Sequence, residues 1–137
     1  MTAKEFLQQA AAVDRVIESK IEQVEKLKTL LTKGTSVLTG MPRSGNGREH
    51  YDEMLAKLAD LEEEINRKID ELVDLKRAIA FAISQISDAD YRSLLEMRYL
   101  SYNGWSEIAR KFNCSLRHIY RLHKEALKKV VIPESWQ

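Results

Sequence analysis

Phe6, Ala10, Val13, Ile17, Ile21, Val24, Leu27 and Leu31 recur at steps of three and four residues, with Lys, Glu and Gln between them. An apolar stripe of that period marks an amphipathic helix, so the spacing predicts one long helix over residues 3–32. Tyr51, Leu55, Leu58, Ile65, Ile69, Leu72, Ile79, Ala82, Ile83 and Ile86 repeat the pattern and predict a second. Leu61 and Leu75 fall one residue off the heptad of that stripe, where Glu62 and Lys76 take the seam places. A helical hairpin with an imperfect seam is therefore expected, rather than one continuous rod.

The break between the two stripes, residues 32–50, holds four of the five glycines and Pro42, which predicts a flexible connection there. Val37, Leu38 and Met41 are expected to fold over the end of the hairpin. The run Ser44-Gly-Asn-Gly47 has no Walker pattern around it, and the helix that follows lacks a Lys-Ser/Thr opening, so nucleotide binding is not expected.

Beyond Ile86 the elements shorten. Ser87-Asp-Ala-Asp90 is close to a capping box and opens a third helix, whose Tyr91, Leu94, Leu95, Met97 and Leu100 supply an apolar surface. Residues 101–104 end it. Trp105 then starts a short helix with Ile108, Ala109 and Phe112 on one face, and Asn113-Cys114-Ser115 makes a turn. Ser115 is a good N-cap for the last helix, which turns Ile119, Leu122, Ala126 and Leu127 inward. Pro133 is expected to stop that helix, with Trp136 folding back onto the domain. The whole reads as an all-α protein: a long antiparallel, coiled-coil-like hairpin over residues 1–86, then a trihelical helix-turn-helix unit over 87–137.

Charge gives this layout a function. From Arg110 to Lys129 there are seven basic residues against the single acid Glu125, a local charge of +6. Phosphate backbones attract such a surface. The net charge of +1 conceals the asymmetry: residues 87–137 carry nine bases and six acids, which leaves −2 for residues 1–86. With a recognition helix over about 115–129 in the major groove, Lys111, Ser115, Arg117, His118, Tyr120, Arg121, Lys124 and Lys128 are the candidate DNA-contacting residues. Arg117 and Arg121 are assigned to base edges, and Lys111, Lys124 and Lys128 to phosphates.

Other chemistry finds little support. Hydrophobic residues make up 44% of the chain and charged residues 31%, which fits neither a disordered nor a membrane-spanning protein. The lone Cys114 precludes an internal disulfide and is expected to be a small buried side chain. His50, His118 and His123 have no metal-ligand spacing, and no nucleophile has an evident base beside it, so neither a metal or cofactor nor enzymatic activity is expected. The N-terminus lacks the apolar segment of a signal peptide, which suggests an intracellular, cytoplasmic protein.

The C-terminal unit resembles region four of bacterial sigma factors, through Glu107-Ile-Ala, Phe112-Asn-Cys-Ser and Ala126-Leu-Lys-Lys. The whole chain is similar to small proteins encoded by phages and prophages of Gram-positive bacteria. The matching residues are Gly40-Met-Pro42, Tyr91-Arg92, Leu94-Leu95, Arg98-Tyr99, Trp105, Leu122-His123 and Ala126-Leu127. This resemblance implies kinship with ArpU- and RinA-type late transcription regulators. It also puts Leu116, Arg117, Tyr120 and Arg121 at base-reading positions, and an apolar Leu116 there implies a target other than the familiar promoter element. Gly104 stands where a capping Thr often precedes the Trp.

The expected function is a sequence-specific regulator that binds double-stranded DNA, with the hairpin forming a homo-oligomer or contacting host RNA polymerase. One alternative is a sigma-like adaptor that binds polymerase or another protein without a stable DNA complex of its own. Another is a coiled-coil structural or packaging factor.

Overall fold

The structure, a computed structural model, describes residues 1–39 and 45–137, with side chains described over 1–33 and 47–137. The described residues are all-helical, with no strand among them: α1 (Ala3–Thr39), α2 (Gly45–Ser84), α3 (Ala89–Leu95), a π-helical turn (Glu96–Leu100), α4 (Trp105–Lys111), α5 (Leu116–Lys128) and a 3₁₀ turn (Glu134–Trp136). Both long helices run into the stretch read from sequence as a connection over 32–50. Gly34, Gly45 and Gly47 lie within them, since a helix tolerates isolated glycines at roughly 1 kcal/mol each. Gly40-Met-Pro42 and Ser44 lie outside the described residues, as do the side chains of Val37, Leu38 and Met41.

The chain divides into two compact units, Met1–Val13 with Leu72–Gln137, and Asp14–Glu71. In the first, one buried apolar cluster joins Phe6, Leu7 and Ala10 of α1, Leu75, Ile79, Ala82 and Ile83 of α2 and the adjacent Ile86, Leu94 and Leu95 of α3, Ile108 and Ala109 of α4, and Ile119 and Ala126 of α5. Helices this short have little stability alone, so this shared burial holds them. The last helix ends at Lys128, five residues before Pro133, and the proline instead opens the 3₁₀ turn. Trp136 does fold back, with its ring 6.5 Å from that of Phe6.

The cap of α3 is Asp88, not Ser87. Its carboxylate accepts from the backbone N–H groups of Asp90 and Tyr91 at 2.9 and 3.1 Å. A carboxylate two residues before the free N–H groups reaches them directly and also complements the positive end of the helix dipole. Arg92 completes the corner by donating through Nη1 to the carbonyls of Ile86 and Ser87 at 2.6 and 3.0 Å.

In the second unit, α1 buries Ile17, Val24 and Leu31, each seven residues from the next, and Lys20 and Leu27 are half-buried beside them. Gly47, Glu64, Lys76, Ala78 and Ile83 of α2 are also at least half-buried, and they lie beside a run of such positions at Tyr51, Met54, Leu58, Leu61, Ile65, Lys68, Leu72, Leu75, Ile79, Ala82 and, just beyond its end, Ile86. The positions of this run alternate in steps of three and four without interruption, which is a regular heptad seam. The second seam series therefore runs through Leu61, Lys68 and Leu75, one residue earlier than the series through Leu55, Glu62, Ile69 and Lys76 that the sequence pattern predicts. Leu55 and Ile69 are exposed apolar residues on the flank, and they obscured the true register. Lys20 donates to Glu64 at 2.6 Å across the two helices. That hydrogen bond and the lysine charge hold the Glu64 carboxyl below its usual pKa.

Candidate nucleic-acid interface

Residues 105–128 form the expected helix-turn-helix, and its turn is set by local backbone chemistry. Asn113 adopts the left-handed conformation (φ 52°), which Asn tolerates better than most residues. Its N–H bonds the Arg110 carbonyl at 3.1 Å, and the Cys114 N–H reaches back to Ala109 at 3.0 Å. This pair of bonds is a Schellman closure of α4. Ser115 then caps α5, its hydroxyl accepting from the His118 N–H at 3.1 Å. Cys114 is half-buried against the core rather than fully buried, because the turn leaves one side of it open.

The orientation of α5 depends on a group of side chains from α5, α4 and the π-helical turn. His123, only 9% exposed, points inward from α5, and its Nε2 lies 2.6 Å from the Tyr99 hydroxyl of the π-helical turn. Trp105, the first residue of α4, sets its ring at 4.6 Å from His123 and 5.5 Å from Tyr120, both edge-on. The Arg98 guanidinium lies 4.4 Å from the Trp105 ring centre and donates to the Asn103 carbonyl at 3.2 Å. Burial, with the nearby charges of Lys4 and Arg98, lowers the His123 pKa from 6.5 to about 4. The imidazole is therefore neutral at pH 7. Burial likewise pushes the Tyr99 phenol upward, so the pair shares its hydrogen bond without charge. A signal was present in Leu122-His123, since a histidine one helical turn after Ile119 falls on the inward face.

With Ile119, His123 and Ala126 inward, successive residues turning by about 100° put Arg117, Arg121, Lys124 and Lys128 in one line on the opposite face. All four are exposed, as are Lys111, Ser115, His118 and Tyr120. Lys111 pairs with Glu107 at 3.6 Å and Lys128 with Glu125 at 3.0 Å, both at the surface. Arg117, Arg121 and Lys124 have no ion pair among the described residues. Beside the basic line Leu116 and Tyr120, one turn apart, are 41% and 50% exposed. The structure thus sets apart a cationic stripe, an apolar ledge on its border, and Ser115, which is occupied as a cap, while Lys111 on α4 and His118 on α5 are exposed outside the stripe.

Among the described residues no three His, Cys, Asp or Glu side chains gather as a metal site would require, and no helix is long and apolar enough to cross a membrane. Residues 31–131 match the family model described as a protein of unknown function (DUF1492), and the chain belongs to that family. No curated protein and no solved structure matches it.

Proposed function

We propose that this member of the DUF1492 family is a DNA-binding transcription regulator of phage or prophage origin that lays α5 in the major groove. The observation that carries the reading is the line of Arg117, Arg121, Lys124 and Lys128 opposite the buried face of the second helix of a helix-turn-helix. Arginine forks suit guanine O6 and N7, and lysines suit phosphates as mobile point charges. The stripe runs over eleven helical steps from Arg117 to Lys128, roughly 16 Å, a length suited to following the floor of a groove about 12 Å wide. In this reading Arg117 and Arg121 face base edges, Lys111, Lys124 and Lys128 hold phosphates, and the protein binds rather than catalyses.

A single module of this size makes a small interface, so a second copy would extend the contact. Leu55 and Ile69, exposed and two heptads apart on one side of α2, give the hairpin a face for that pairing.

Duplexes selected from a random library, then compared with scrambled ones in gel shifts, test the reading. Arg121→Ala should erode the preference for the selected duplex by about 1–3 kcal/mol, roughly five- to 150-fold. An Arg121→Ala protein with unchanged affinity and preference would remove the proposed reading face. A shift seen only when RNA polymerase is added would favour an adaptor instead.

A further inference from the structure

The ledge formed by Leu116 and Tyr120 is exposed and carries no charge, yet it borders a cationic stripe. Leu116 is the first residue of α5, directly after the Ser115 cap, and Tyr120 follows one turn later with its ring against the edge of Trp105. On the helical wheel Tyr120 stands between Leu116 and Lys124, so the apolar pair and the stripe form one continuous surface. Two side chains are far too small an area for a protein partner, which takes on the order of 800 Å² on each side. They match instead the one apolar group that DNA offers in the major groove, the 5-methyl of thymine.

Resting on the DNA-binding reading, we infer that Leu116, backed by Tyr120, is a specificity-determining residue that packs against a thymine methyl. The residues at the start of a recognition helix are the ones brought to base edges. Lys124 and Lys128, about two and three turns beyond Leu116, set the depth and register of the helix by holding phosphates. Trp105 fixes Tyr120, so the ledge is ordered before DNA arrives and little freedom is lost on contact.

The test uses the full chain and a duplex recovered by selection from a random library, resynthesised with deoxyuridine in place of one thymine at a time. This exchange removes the methyl group and leaves base pairing intact. One position should weaken binding about fourfold, the equivalent of one buried methyl-sized group. In Leu116→Ala the same exchange should cost little, while affinity for scrambled duplex stays unchanged. Leu116 is exposed, so the variant should fold, and its circular dichroism and melting curve verify this. Selected sites without a fixed thymine, exchanges that are all silent, or equal losses in both proteins would overturn the inference and leave the DNA-binding reading standing. Absence of affinity for any selected duplex would overturn both.

Discussion

The unit made of Met1–Val13 and Leu72–Gln137 encloses its core on every helix, from Phe6 through Ile83 and Leu95 to Ile119. The unit Asp14–Glu71 has Ile17, Val24 and Leu31 as its buried apolar residues among those described, and the facing residues of α2 are only half-buried. Two helices side by side have one seam to bury, whereas five short elements can wrap a common interior. The difference teaches where precision is needed. A helix that presents charges in register requires a fixed platform, and the first unit supplies one through apolar packing plus the Tyr99–His123 bond. The second unit fixes its register with a lysine at a seam position, Lys20 on Glu64, and gains little cohesion from it.

Removing core volume should expose this contrast most strongly. Ile83→Ala, at a fully buried site, is expected to cost about 3–4 kcal/mol in denaturant unfolding, and Leu58→Ala at the half-buried seam about half of that or less. Equal losses would show that the hairpin seam is as tightly packed as the core.

Acid should act on the first unit through His123. The folded protein protonates this residue only near pH 4, whereas the unfolded chain does so near 6.5, so the unfolded state holds more protons in between. Stability is therefore full above pH 6.5 and falls as the pH drops towards 4, by at most about 3 kcal/mol from this group. His123→Gln should flatten that part of the curve relative to the parent protein when melting temperature is followed against pH. Parallel curves would mean that His123 is not buried as described.

The caps flanking α4 and α5 should give smaller effects. Ser115→Ala removes the acceptor for the His118 N–H and should cost about 1 kcal/mol. Gly104 caps α4 without a side-chain bond, and an added Cβ there meets nothing within 4 Å, so Gly104→Ser should stabilise by a few tenths of a kcal/mol.

Local periodicity and residue type carried the three helices after Ile86, the turn at Asn113 and the cap at Ser115, because each rests on neighbours within a few residues. They did not carry the partnership of Phe6, Leu7 and Ala10 with helices some seventy or more residues away, since one amphipathic stripe looks the same whatever covers it. The seam of α2 was misplaced by one residue for a related reason: Leu55 and Ile69 are apolar but exposed. At the candidate interface the basic residues were legible because their type and spacing are local. His123 and Arg98 were not, because their roles come from Tyr99 and Trp105 across the fold.

Salt dependence of binding tests the central claim, that the exposed cationic face of α5 is a nucleic-acid surface. For the full chain on a selected duplex, three phosphate contacts give a plot of log affinity against log salt with a slope of about −3. In Lys128→Ala that slope should become shallower by about one unit. A slope near zero, or one that Lys128→Ala and Lys124→Ala both leave unchanged, would contradict the account.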